Sequence, residues 1–277
     1  CEDKNPSNAA VKKFSNMAVQ DPSPVVRLYL ASAIQRMSLE NRWDIAAGLI
    51  THAEDANDHN LPKLIWYGIE PLVSENPMRA MDLAQASQLP LVTEYIARRA
   101  TDAYQLESLS LALGEMESET KINNMLAGFA DGLKGKNEIN TPASWPETYE
   151  TIKKHPLAKE IAAILGETES NKEFISSLDD PRSKIDDRLH ALNILASKKH
   201  VALKSRLITL LDNHDLRNAS IQAMALYNEP SFSRELLERY PKMNVEEKST
   251  TIQTMASSTS YAQNLTDAIK SGVIPRN

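Results

Sequence analysis

Apolar side chains return at a fixed interval over the second half of this chain. Trp145, Phe174, Leu203, Phe232 and Tyr261 are each 29 residues apart, and four residues after each come Tyr149, Leu178, Leu207, Leu236 and Leu265. Leu211, Tyr240 and Ile269 add a third column in the last three copies. Residues four apart lie on one face of a helix, so one helix recurs five times. Between the copies lies a second helix with its own apolar side, at Leu157 to Leu165, Ile185 to Ala196, Leu216 to Tyr227 and Val245 to Ala256. A pair of short helices cannot bury its apolar faces alone and has to stack on the next pair. The spacing therefore predicts an all-α fold, an α-solenoid of stacked antiparallel helix pairs. Ser144 with Glu147, Ser170 with Glu173 and Asn244 with Glu247 carry the spacing of a capping box and mark helix starts.

The first half is helical with a looser period. Apolar stripes predict helices at Ala9 to Val19, Pro24 to Met37, Leu39 to Glu54, Leu61 to Ser74, Pro77 to Ser87, Leu91 to Thr101, Leu106 to Met116 and Ile122 to Lys134. The run DPSPVVRLYLASA, Asp21 to Ala33, reads as a turn, paired aliphatics, an arginine and small residues, the pattern of a HEAT-type first helix. Arg188 and Arg217 repeat that arginine 29 residues apart. The expectation is a HEAT-like array winding as a right-handed superhelix, a single repeat domain over 1–277. Breaker residues concentrate at 132–144, where a break between an irregular first sub-array and the regular second one is expected.

One phrase, LPKLIWYGIEPLV at Leu61 to Val73, raises the question of a site. Leu61, Leu64, Ile65, Gly68, Ile69, Leu72 and Val73 share one stripe, so the phrase reads as a packed helix capped by Asn60 with Pro62 in its first turn. Gly68 on that stripe implies a close neighbouring helix. Pro71 removes a hydrogen bond to the Tyr67 carbonyl and should end or bend the helix. Trp66 and Tyr67 fall off the stripe, and they are the candidate partner surface. Trp145 is core by its place in the 29-residue column.

Composition sharpens this. Only 8 glycines are present, under half of the roughly 7% usual share, as befits helices joined by short turns. A net charge of −6 argues against nucleic acid as a partner, since affinity for a phosphate backbone comes from clustered Lys and Arg. The doublets Arg98-Arg99, Lys153-Lys154 and Lys198-Lys199 sit near helix ends, where cations oppose the helix dipole. No apolar run reaches the ~20 residues of a membrane span, so direct membrane insertion is not expected. The single cysteine, Cys1, excludes an internal disulfide, and reads either as a cut site or as a lipidated N-terminus.

Catalytic chemistry finds no anchor. His52, Glu54, Asp55, Asp58 and His59 form the densest group of metal-ligand types, but the histidines are seven apart rather than three or four, and an EF-hand begun at Asp55 has Asn60 and Trp66 where Gly and Glu belong. His155, His190, His200 and His214 are isolated, the last two at helix ends. No Gly-rich phosphate loop, G-x-S-x-G, H-E-x-x-H or C-x-x-C-H occurs. No catalytic, cofactor-binding or metal residue is therefore named.

The stretches Asp21 to Met37, His52 to Val73, LPLVTEYIARR at Leu89 to Arg99, LAGFADGLKG at Leu126 to Gly135 and the closing segment from Glu238 resemble the HEAT-repeat region of the membrane-bound dehydrogenase or haem-binding domain proteins of Planctomycetes, Verrucomicrobia and Bacteroidetes. That resemblance implies a non-catalytic scaffold or interaction domain in a periplasmic or cell-envelope protein, a spacer between a dehydrogenase-like β-propeller and a c-type cytochrome module. It implies neighbouring domains of the same polypeptide, or a protein, as partners. Haem c is expected only in a downstream module, and no haem ligand carries over to this sequence. The alternative is a free-standing protein- or peptide-binding solenoid. A helical-repeat enzyme such as a DNA glycosylase would need a basic concave groove, which the net charge disfavours.

Overall fold

A computed structural model describes residues 6–136, 139–166 and 168–275; Cys1 lies outside them. The described residues are all-α, without a strand. By compactness they fall into two units, one containing the residues to Lys134 together with Ile139–Ala162, the other Gly135, Lys136 and the residues from Ala163 onward.

The first unit contains α1 (Asn8–Gln20), α2 (Pro24–Ile34), α3 (Trp43–Leu49), α4 (Leu61–Glu75), α5 (Pro77–Ala86), α6 (Pro90–Asp102), α7 (Leu106–Glu115), α8 (Glu119–Leu133) and α9 (Trp145–Ile152). Each helix packs on the helix two places ahead: α1 on α3, α2 on α4, and so on to α6 on α8 and α7 on α9. Even-numbered helices therefore form one layer and odd-numbered helices the other, which is the helical-repeat solenoid the spacing predicts. The helix α10 (Pro156–Ile164) spans the division. The second unit holds α11 (Thr168–Asp179), α12 (Ile185–Ser197), α13 (Val201–Leu210), α14 (His214–Tyr227), α15 (Pro230–Arg239), α16 (Val245–Ala256) and α17 (Thr259–Lys270). There α12 packs on α14 and α14 on α16, with α15 on α17.

Proline stands in the first turn of α2, α4, α5, α6, α9 and α15, where its missing N–H would have had no partner. Of the three capping boxes expected, Asn244 with Glu247 forms in full at α16. Ser144 makes no side-chain cap, and Ser170 lies inside α11, which starts at Thr168. The 29-residue columns are core: Trp145, Leu203, Phe232 and Tyr261 are buried, as are Leu178, Leu207, Leu236, Leu211 and Tyr240. Phe174, Leu265 and Ile269 are partly buried against that core.

Three expectations need correction. The single helix over Leu39 to Glu54 is instead a 3-10 turn at Leu39–Arg42, the helix α3, and a second 3-10 turn at Ala53–Asp55. Two buried arginines explain the breaks. Arg42 turns in to donate from Nε to the Met37 carbonyl, from Nη2 to that of Gln35 and from Nη1 to that of Gly68, so it closes the C-terminal end of α2 and reaches α4. Arg27 draws Asp55 inward, donating from Nε to Oδ2 at 2.5 Å and from Nη2 to Oδ1 at 2.6 Å. Next, α4 does not end at Pro71 but continues to Glu75. The bond that Pro71 forfeits lies below Tyr67, which is exposed, so water can serve the carbonyl while packing on α2 and α6 holds the helix. Finally, Asn60 makes no side-chain cap; Asp58 Oδ1 accepts from the Asn60 and Leu61 N–H groups, each at 2.8 Å.

Close helix contacts fall at glycines. A Cβ on Gly68 would lie inside the Ile34 side chain, and one on Gly128 would lie on the Glu94 carbonyl oxygen. Gly132, one turn further, faces Thr101 and the Arg98 carbonyl, so α8 approaches α6 backbone to backbone. Gly68, Ile65, Ile69 and Leu72 are buried as expected, whereas Leu64 is half-buried.

Arginines join one repeat to the next. Arg27 also donates from Nη1 to the Asp21 carbonyl at 3.0 Å, and Arg217 donates to the Leu211 carbonyl and to Glu247. Arg188 donates to the Leu178 carbonyl. Arg206 binds Asp179 through Nε and Nη2, and Arg239 pairs with Asp212, both at a separation of 27 residues.

Two turns carry strain. Lys199 and Tyr104 take the left-handed conformation, with φ of 50° and 58°, in Schellman caps closed by His200 N–H to Leu195 and Gln105 N–H to Ala100. A non-glycine residue there costs about 1 kcal/mol. Because the Lys199 side chain is exposed, Lys199→Gly is expected to stabilise the second unit by about 1 kcal/mol, read as slower hydrogen exchange at Leu203 and Leu207. No change in exchange would mean that the turn is unstrained.

Candidate functional site

Two sequence-named residues, Trp66 and Tyr67, fall on the solvent side of α4, and α6 supplies the opposite wall. The stripe that buries Ile65, Gly68, Ile69 and Leu72 sends the intervening positions outward. Together Lys63, Trp66, Tyr67, Tyr95, Arg98, Arg99 and Asp102 line a groove of about 410 Å³. Trp66 and Tyr95 are ring neighbours, 5.5 Å between centroids and tilted by 58°. Both are half-buried and form the floor, while Tyr67, at 57% exposure, stands at the rim.

The two arginines are positioned by partners outside the groove. Arg99 Nε donates to Glu70 Oε1 at 2.5 Å, and Arg98 Nη1 lies 2.8 Å from Asp131 Oδ2. The Asp131 carboxyl is held below its usual range by the hydrogen bond from Lys134 and then by Arg98, so it stays ionised at neutral pH and keeps Arg98 in place. Each guanidinium keeps further N–H donors beyond that one. The lining thus offers aromatic faces and cationic N–H groups, and it holds no histidine, cysteine, serine or threonine. That set suits non-covalent recognition.

Of these residues, sequence reasoning named Trp66 and Tyr67 and took Arg98-Arg99 for a solvated helix end. Lys63, Tyr95 and Asp102 went unremarked. A signal was present: Trp66 and Tyr95 are 29 residues apart, as are Glu70 and Arg99 and the hydrogen-bonded pair Gln35 and Leu64. The period of the second half therefore reaches α4 and α6 of the first, which begin at Leu61 and Pro90, carried there by polar and aromatic pairs.

The other reactive groups serve the fold. His52 contacts Glu54 through Nδ1 and the Ala18 carbonyl through Nε2, each at 2.8 Å. Asp55 is paired with Arg27, and Asp58 caps α4. His200 caps α13 by accepting from the Ala202 N–H, as its place at a helix end implies, and His155 bonds Asn123 at 2.9 Å. Among the described residues no three of His, Cys, Asp or Glu converge as metal ligands, and no helix is long and apolar enough to cross a membrane.

A second groove, about 410 Å³, lies in the second unit between Leu211 and Met243. Its arginines are engaged within the fold: Arg217 holds the Leu211 carbonyl and Glu247, and Arg239 holds Asp212 and Glu235. The α4/α6 groove differs in being walled by aromatic rings, and for that reason it is the candidate binding site. Comparison with family models, with curated proteins and with solved structures returns no match, so the geometry and the residues stand as the basis for function.

Proposed function

We propose that this chain is a non-catalytic helical-repeat scaffold that holds a protein partner, and that it belongs to a bacterial envelope protein in which it spaces a dehydrogenase-like β-propeller from a c-type cytochrome module. The observation that carries the scaffold reading is the division of labour among side chains. His52, Asp55, Asp58, His155 and His200 are engaged in the fold, while the α4/α6 groove presents rings and cations to solvent. The envelope setting rests on the resemblance of the stretches around Asp21, His52 and Leu126 to that family.

The purified chain is expected to develop no haem Soret band on incubation with haemin and to reduce no artificial electron acceptor in the presence of sugars. Either activity would overturn the scaffold reading. A free-standing peptide-binding solenoid is the second reading, favoured by the same groove. The two separate on the reading frame around this sequence: propeller-coding sequence upstream with C-x-x-C-H downstream supports the spacer, and isolation of the frame supports the free-standing binder.

A further inference from the structure

We infer that His52 is a proton-dependent clamp on α1: its imidazolium ties the C-terminal end of that helix to the array, and loss of the ring proton loosens it. Both ring nitrogens face acceptors. Nε2 lies 2.8 Å from the Ala18 carbonyl oxygen, and Nδ1 lies 2.8 Å from Glu54 Oε1. A neutral imidazole carries one N–H and serves one of the two, whereas the imidazolium donates to both. The first acceptor is open because Pro22, four residues after Ala18, has no N–H to offer its carbonyl. That carbonyl also stands at the negative end of α1, where a cation is favoured.

The second acceptor keeps its charge. The Glu54 carboxyl is held below its usual range by its own backbone N–H and then by His52, so it only accepts over the pH range in which histidine titrates. The remaining charges near the ring offset one another. Arg27 of α2 brings Nη2 to 3.4 Å from the same Glu54 oxygen, but it is paired with Asp55, and Asp21 also favours its charge. Without the ring proton, Glu54 faces a lone pair on Nδ1 and is released to Arg27 or to water. The helix so clamped is lightly held. Ala18 is the one buried residue of α1, and Val11, Phe14 and Met17 are half-buried. Ala18 is also where α1 meets α3 closely, since a Cβ on Gly48 would lie 2.9 Å from the Ala18 Cβ. The clamped state holds one proton more, so docking of α1 strengthens as pH falls through the histidine range and weakens as pH rises through it.

The test is backbone hydrogen exchange of the full chain at about pH 5.5 and about pH 8, corrected for intrinsic rates, with the amides of α6 as the internal reference. Protection at Phe14 to Val19 is expected to be about threefold greater at the lower pH, the size of one cation at a helix C-terminus. Glu54→Gln presents an amide N–H to the neutral ring, so it should remove the pH dependence and keep α1 protected at the higher pH. His52→Gln keeps a donor for the Ala18 carbonyl and cannot titrate, and it should remove the dependence too. Glu54 is exposed, so its variant still reports if His52→Gln fails to fold. Equal protection of α1 at the two pH values, protection that rises with pH, or a pH dependence that survives Glu54→Gln would overturn the inference.

Discussion

Asp55→Ala is expected to destabilise the first unit by about 3–5 kcal/mol, the cost of leaving a buried charge without its partner. Arg27 and Asp55 are the most deeply buried ion pair among the described residues, with side chains 2% and 5% exposed. Once the carboxylate is gone, Arg27 keeps the Asp21 carbonyl and a contact at 3.4 Å with Glu54, whose side chain is 62% exposed and screened by water. Neither replaces a bidentate buried acceptor. The double variant Arg27→Met with Asp55→Leu removes both charges and should recover at least half of the loss, since replacing a buried pair with apolar residues is often close to neutral. Trp43, Trp66 and Trp145 all belong to the first unit, so tryptophan fluorescence during urea unfolding follows that unit without a signal from the second. A double variant as unstable as the sum of its parts would mean that the two side chains are not coupled.

Gly128→Ala should lower the stability of the same unit by about 3 kcal/mol from overpacking, against about 1 kcal/mol of intrinsic helix preference gained. The added methyl would meet the Glu94 carbonyl, with the Glu94 carbonyl carbon at 2.8 Å and the Ala97 Cβ at 3.0 Å. Most of these atoms are backbone, so no rotamer change relieves the clash, and α6 and α8 have to separate. Gly68→Ala is the informative comparison. There the obstacle is the flexible end of Ile34, and the loss should be smaller. Phe129 stands edge-on to Trp145 at 5.8 Å, so a shift of α8 should also move the Trp145 emission. Equal stability of Gly128→Ala and the parent chain would refute the backbone-to-backbone contact.

These two features differ in how far the sequence disclosed them. The 29-residue columns of the second half were legible because each is a row of aliphatic and aromatic side chains that must face a core, and Leu203, Phe232 and Tyr261 do. Gly68 was legible too, since a glycine on an apolar stripe has few other reasons to persist in a helix. Asp55 was not. It sits among His52, Glu54, Asp58 and His59, and composition alone makes such a run an exposed loop; only the reach of Arg27 from α2 shows one of its carboxylates to be core. That α4 does not end at Pro71 was missed for a related reason, because local propensity weighs a lost hydrogen bond but not the layer of helices on either side. Two of the seven groove residues were legible. Trp66 and Tyr67 stood out by residue type, whereas Tyr95 and Arg99 belonged to it through a 29-residue offset that polar and aromatic pairs disclose less loudly than leucines.

The inter-repeat arginine pairs bear on which changes of length the array can absorb. Asp179 with Arg206 and Asp212 with Arg239 each tie a helix end to the next repeat across 27 residues, yet the two pairs are not offset by the 29-residue spacing of the apolar columns, so each joint is a separate solution to the same need. A residue inserted or deleted between the partners of one pair shifts its arginine off its carboxylate, whereas a change at a turn outside both spans leaves the two joints intact. Tolerance to insertion should therefore follow the positions of these pairs rather than the exposure of the turns alone.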